Sequence, residues 1–158
     1  MSTRFTKRGV PLVESQSLQL IQSATKFKDE MTDYLSRQLV SKGYTSLTPS
    51  LLSFLSILEC DANYGSEIAR RLGVSRQMVA KTVKELCRLG YLDQKHVTGK
   101  QKEIHFTETG EQLMSDARQL LSEIDDIILA NSDLKKITKI VNDLNKITCV
   151  ISNKKHTL

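Results

Sequence analysis

The segment SEIARRLGVSRQMVAKTVKEL, residues 66–86, constrains this chain more than any other stretch. Two runs of helical periodicity are separated by a single break, with Gly73-Val74 making a tight connection. At about 100° per residue, Lys81, Lys84 and Arg88 fall within about 40° of Gln77 on a helical wheel. Val79, Val83 and Leu86 fall near the opposite side. The second helix is thereby split lengthwise into an apolar seam and a cationic, hydrogen-bonding seam. Ser75 is placed to cap it, and the free N–H groups at that end also favour a phosphate. The shorter helix before it is expected to bury Ile68, Ala69 and Leu72.

Charge is concentrated in the same region. Of the 23 Lys and Arg residues in the 158-residue chain, nine lie between residues 67 and 102, with only three carboxylates among them. The remainder of the chain is nearly balanced. Such a local cationic patch suits a polyanion. Helix–glycine–helix arrangements occur in many proteins and surface lysines are common, so neither feature is decisive alone. Their combination reads as a helix-turn-helix whose second helix is shaped for the major groove of duplex DNA. The candidate DNA-contacting residues are Ser75, Arg76, Gln77, Lys81, Lys84, Arg88, Lys100 and Lys102.

On either side of this segment the periodicity is mostly helical. Leu20, Ala24, Phe27, Met31, Tyr34 and Leu35 recur at three- and four-residue steps, marking one face of a long helix between Val13 and Val40 that ends by Gly43. Thr48-Pro49 opens the next helix, with Thr48 as cap and Pro49 at the first helical position. After Leu89-Gly90 the period changes. Leu92–Val97 and Glu103–Phe106 read as short strands around a turn at Thr98-Gly99-Lys100. Thr107 caps a third long helix, with Glu108 and Glu111 in its first turn and a stripe of Leu113, Ala117, Leu120, Ile124 and Ile127. Asn131-Ser132-Asp133 interrupts it before a last helix striped by Leu134, Ile137, Val141, Leu144, Ile147 and Ile151.

The expected fold is α+β, mainly helical. It comprises an N-terminal dimerisation helix (1–45), a winged helix-turn-helix unit (46–107) and C-terminal dimerisation helices (108–158). Apolar stripes on long helices flanking a small domain must be buried, and a second copy of the chain is the simplest partner.

The order of these elements, with GSEIARRLGVSRQMVAKTVKELCRLGYL, a hairpin and then FTETGEQL, resembles the MarR-type winged helix regulators. The likeness is architectural over nearly the whole chain and residue-specific from about Leu47 to Leu113. FTETG, closing the wing, is similar to a leucine-threonine-x-x-glycine usual in that family. The resemblance implies a homodimeric, double-stranded-DNA-binding transcriptional regulator acting on a pseudo-palindromic operator. It also implies a small aromatic effector as a candidate ligand, with Phe27, Tyr34 and Phe54 as candidate lining residues. Many family members carry an aspartate-x-arginine pair at the wing tip. Here the tip reads HVTGKQKEI, leaving Lys100 and Lys102 as replacements better suited to phosphate than to minor-groove reading.

PadR-like and ArsR-like regulators share the central unit. The former lack so long a first helix, and metal-sensing forms of the latter show ligand clusters that this sequence lacks. A winged helix serving as a protein-interaction module is the alternative of a different class, and the cationic seam argues against it.

No nucleophile elbow, phosphate-cradling glycine loop or metal-ligand spacing is present, so neither an enzyme nor a cofactor is expected. Cys60, Cys87 and Cys149 are odd in number and far apart, which favours reduced thiols and a cytoplasmic protein. No run approaches a membrane span.

Overall fold

Ser15, Thr48, Ser75 and Thr107 each open a helix by taking a free backbone N–H on a side-chain oxygen. The computed structural model describes residues 4–5, 7–9, 11–12, 15–96 and 102–154. Two short strands, β1 (Arg4–Phe5) and β2 (Pro11–Leu12), pair antiparallel near the N-terminus. Helix α1 (Gln16–Ser41) starts later than periodicity from Val13 suggests, because Ser15 accepts from the Leu18 N–H at 3.4 Å. Its buried residues, Leu35, Ser36 and Leu39, lie near its C-terminal end, where the Ser36 hydroxyl donates to the Leu47 carbonyl at 2.7 Å. Helix α2 (Pro49–Leu55) has the expected cap: Thr48 Oγ1 accepts from the Leu51 N–H at 3.3 Å. It buries Leu52, Phe54 and Leu55.

Helices α3 (Gly65–Leu72) and α4 (Arg76–Arg88) form the expected helix-turn-helix. Gly73 sits in the left-handed region at φ 66°, and the Val74 N–H reaches back to the Ala69 carbonyl at 3.1 Å. Ser75 Oγ then accepts from the Met78 N–H at 3.1 Å and restarts the helix. Ile68 and Ala69 are buried as expected, but Leu72 is 41% exposed. It lies on the last residue of α3, past the core that Ile68 fills, and overhangs an open concavity instead.

Strands β4 (Leu92–His96) and β5 (Lys102–Phe106) form the hairpin, with Leu92 opposite Phe106 and His96 opposite Lys102. Its turn, with Thr98, Gly99 and Lys100, lies outside the described residues. A third strand, β3 (Asn63–Tyr64), pairs with β5 and completes the sheet in the order β3-β5-β4. Two residues carry no readable alternation, so periodicity passes over this strand. It is held by the buried Asn63, whose amide donates to the carbonyls of Glu59 (2.9 Å) and Asp61 (3.1 Å) and whose oxygen accepts from the Glu59 N–H (2.9 Å).

The start of helix α5 (Glu108–Asn131) is locked to the end of α4. Thr107 Oγ1 donates to the Gly90 carbonyl at 2.6 Å and accepts from the Gly110 N–H at 3.0 Å, while the Thr107 N–H donates to the Tyr91 carbonyl at 3.1 Å. Gly110 packs so closely on Tyr91 that a Cβ would overlap the Tyr91 carbonyl oxygen and crowd Phe106 Cδ1 at 3.1 Å. The threonine-x-x-glycine of FTETG is therefore a packing motif: a cap plus the absence of a side chain.

Nearby, the Tyr44 hydroxyl donates to Asp116 at 2.8 Å, and the Tyr44 and Tyr91 rings lie 6.3 Å apart. Burial, and then the hydrogen bond to Asp116, push the Tyr44 hydroxyl up to about 12 from 10.0. The same bond holds Asp116 below its ordinary 3.8. Since the folded form favours protonated Tyr44, its contribution to stability is complete below pH 10.0 and is lost as pH rises through about 12. Asp116 contributes above 3.8, and its share is lost as pH falls through the lower folded value. Spectrophotometric titration is expected to show a tyrosine ionising at about 12 that disappears in Tyr44→Phe. Its persistence in that variant would refute the assignment.

By internal contacts the chain divides into two compact units, Met1–Ala117 and Arg118–Leu158. In the second unit, Leu120 and Ile124 are buried, whereas Ile127 is exposed. Helix α6 (Leu134–Lys154) leaves most of its expected stripe in solvent, including Val141 and Ile151, together with Ile140 and Val150. No helix among the described residues is long and apolar enough to cross a membrane.

Candidate nucleic-acid interface

Helix α4 is anchored by the burial of Val79, Val83 and Leu86, which leaves the opposite seam in water. Gln77, Lys81 and Lys84 are exposed on that seam, as is Arg76 at the first helical position. None of these side chains has a hydrogen bond or ion pair among the described residues. The Ser75 hydroxyl is already used as the cap. Arg88 is held instead by Glu85, with Nε–Oε2 3.0 Å and Nη2–Oε1 2.6 Å. This hydrogen bond pushes Glu85 down and Arg88 up from their ordinary values. The pair is exposed and weak, yet Arg88 enters the seam carrying a competing partner rather than as a free cation.

The basic window thus sorts by element. On α3, Arg70 pairs with Glu67 at 3.8 Å and Arg71 with Glu59 at 3.0 Å. On α4 and the hairpin, Arg76, Lys81, Lys84 and Lys102 stand without an anion among the described residues. Counting charges along the sequence cannot make this distinction, because Glu59 meets Arg71 only through the fold. Lys100 lies outside the described residues.

Strand alternation divides the hairpin into two faces. Gln94 opposes Ile104 on one, and Lys95 opposes Glu103 on the other. On the second face Glu103 accepts from the Tyr64 hydroxyl at 2.7 Å and meets His105 Nε2 at 3.0 Å. Those two bonds, Tyr64's first, lower the Glu103 carboxyl, and the bond to Glu103 raises the Tyr64 hydroxyl. On the first face a concavity of about 260 Å³ opens between α3, α4 and the hairpin, and Arg76 and Lys102 both line it. Sequence reasoning placed both cations near DNA without bringing them to one site.

A larger concavity of about 690 Å³ is lined by α1, α2 and the helix-turn-helix, including Leu51, Phe54, Leu72 and Met78. Of the aromatics proposed for a ligand cleft, only Phe54 lines it; Phe27 is 61% exposed and Tyr34 half-buried. The exposure of Leu72 and Met78 follows from facing this space. Among the cysteines, Cys60 and Cys149 are exposed, while Cys87 on α4 is half-buried. Burial, and then the charge of Asp93, push the Cys87 thiol up, away from the reactive thiolate. No group of three or more metal-ligating side chains is assembled among the described residues.

No family model and no curated protein matches the sequence. Solved structures do match the fold. FabT of Streptococcus pneumoniae, crystallised in complex with DNA, superposes with a TM-score of 0.72 at 12% identity, over 87% of this chain and 99% of FabT. The MepR–DNA complex of Staphylococcus aureus gives 0.66 at 15% identity, over 88% of this chain and 99% of MepR. A MarR transcriptional regulator from Methanosarcina mazei Go1 gives 0.67 at 17%, over 89% and 99%. Element order, the three-stranded sheet and these superpositions agree: the chain has the MarR-type winged helix fold.

Proposed function

We propose that this protein is a double-stranded-DNA-binding transcriptional regulator of the cytoplasm that acts as a homodimer on a pseudo-palindromic operator. The observation that carries the reading is the α4 seam: Gln77, Lys81 and Lys84 face solvent, without partners among the described residues, directly opposite buried Val79, Val83 and Leu86. A helix anchored on one side and cationic on the other is the form that enters a major groove. The DNA complexes of FabT and MepR, which share the fold, support it.

Dimerisation is supported by apolar side chains that a lone chain leaves in water. Leu18, Ile21 and Phe27 are exposed on α1, as are Leu134, Ile140, Val141, Val150 and Ile151 on α6. Exposed apolar side chains repeated along a helix are what an interaction face presents. A dimer would set two α4 helices about one DNA turn apart, roughly 34 Å. The larger concavity is the candidate effector site. Its lining includes Met78 of α4, so a small apolar or aromatic ligand seated there would bear directly on the recognition helix.

Selection from a random duplex pool tests the reading and yields the operator. Gln77 is the side chain proposed to read sequence: its amide can pair bidentately with adenine, a contact worth about 1–3 kcal/mol of discrimination. Gln77→Ala is therefore expected to weaken the selected site about 5- to 150-fold more than an unrelated duplex. If both duplexes were weakened equally, Gln77 would not be the reader.

A further inference from the structure

We propose that Arg76 and Lys102 hold one and the same DNA phosphate, seated over the concavity between α4 and the β4–β5 hairpin. The proposal rests on the DNA-binding reading and specifies how the recognition helix and the wing act together.

The two concavities differ in charge. The larger one carries both signs, with Lys28 and Asp29 paired at 2.9 Å and Asp33 beside them. The smaller one is lined by Arg76 and Lys102 and by no carboxylate. Ser66 and Gln94 add polar side chains to its lining, over the apolar Val79 and Ile104. A cation near such an apolar floor is screened less than one in open water. The chain neighbour that would most readily neutralise Lys102 is Glu103. Alternation turns it to the other face of the sheet, where Tyr64 and His105 occupy its oxygens.

Arg76 is delivered by the first turn of α4 and Lys102 by the first residue of β5. One anion contacting both would fix the wing against the helix. Backbone contacts set the register in which a helix presents itself to base edges, so a shared phosphate would set the register of Gln77.

The test uses the selected operator with a single uncharged methylphosphonate linkage moved one position at a time along each strand. Affinity is measured for the wild type, Arg76→Ala and Lys102→Ala. One position per half-site is expected at which the neutral linkage weakens wild-type binding on the order of tenfold, the loss of one charge-assisted contact. Both alanine variants are expected to become insensitive at that same position while keeping their sensitivity elsewhere. Arg76→Lys and Lys102→Arg should retain the wild-type pattern, which separates lost charge from lost folding. If the two alanine variants silence different positions, or silence none, the shared phosphate is refuted. Failure of the wild type to bind any unmodified duplex would refute the functional reading itself, and it would appear before any modified strand is tried.

Discussion

Raising monovalent salt from about 50 mM to about 200 mM is expected to weaken duplex binding about a thousandfold. The estimate starts from the cations of α4 and the hairpin that face no carboxylate among the described residues: Lys81, Lys84, Arg76 and Lys102. If the last two share a phosphate, each subunit neutralises three phosphates and a dimer about six. At about 0.9 counterions released per phosphate, log affinity against log salt should fall with a slope of about −5. Separate phosphates for Arg76 and Lys102 would bring the slope nearer to −7. Arg88, paired with Glu85, is left out of this count, and a phosphate contact from it would steepen the slope further. Fluorescence anisotropy with a labelled operator across a salt series measures the slope directly. A nearly flat line would remove DNA as the partner and favour a protein-interaction module.

Gly110→Ala is expected to destabilise the protein by about 3 kcal/mol, although glycine to alanine inside an exposed helix ordinarily stabilises by about 1 kcal/mol. The sign reverses because the added methyl would meet the Tyr91 carbonyl oxygen, a backbone atom that cannot rotate away. To relieve the overlap, the first turn of α5 must lift from α4. That movement breaks the hydrogen bonds of Thr107 to the Gly90 carbonyl and of Gly110 to Thr107. At this chain length the loss corresponds to a drop in Tm of roughly 10 °C. Thr109→Ala, exposed in the same turn, should change Tm little and serves as the control. A melting temperature for Gly110→Ala equal to that of the wild type would show that the close approach to Tyr91 is not structurally required.

These two expectations differ in how far the sequence reached them. The cationic seam of α4 was readable because it rests on a repeat: 3.6 residues per turn places Gln77, Lys81 and Lys84 together whatever the rest of the chain does. The caps at Thr48, Ser75 and Thr107 were readable for a similar reason, each being a hydrogen bond spanning three residues. The need for a glycine at Gly110 was visible only as a resemblance, since nothing local asks for it. The physical demand comes from Tyr91, which arrives from another element.

The hairpin strands were legible from alternation, whereas β3 was not. A two-residue strand exists only because Asn63 ties its loop and β5 supplies a partner edge. Leu72 shows the converse: its helical spacing from Ile68 implies burial, yet burial needs something opposite, and beyond the end of α3 there is open space. Nor could the sequence tell a paired cation from a free one. Arg70 and Arg88 had a carboxylate three residues away, but so short a spacing only permits the bond. Arg71 found Glu59 across a loop, and Glu103 turned from Lys102 to Tyr64 and His105. Periodicity and capping act within a few residues and so are written in the chain. Which charges remain free, and which two of them line one concavity, depends on distances between elements, and only the tertiary structure decides those.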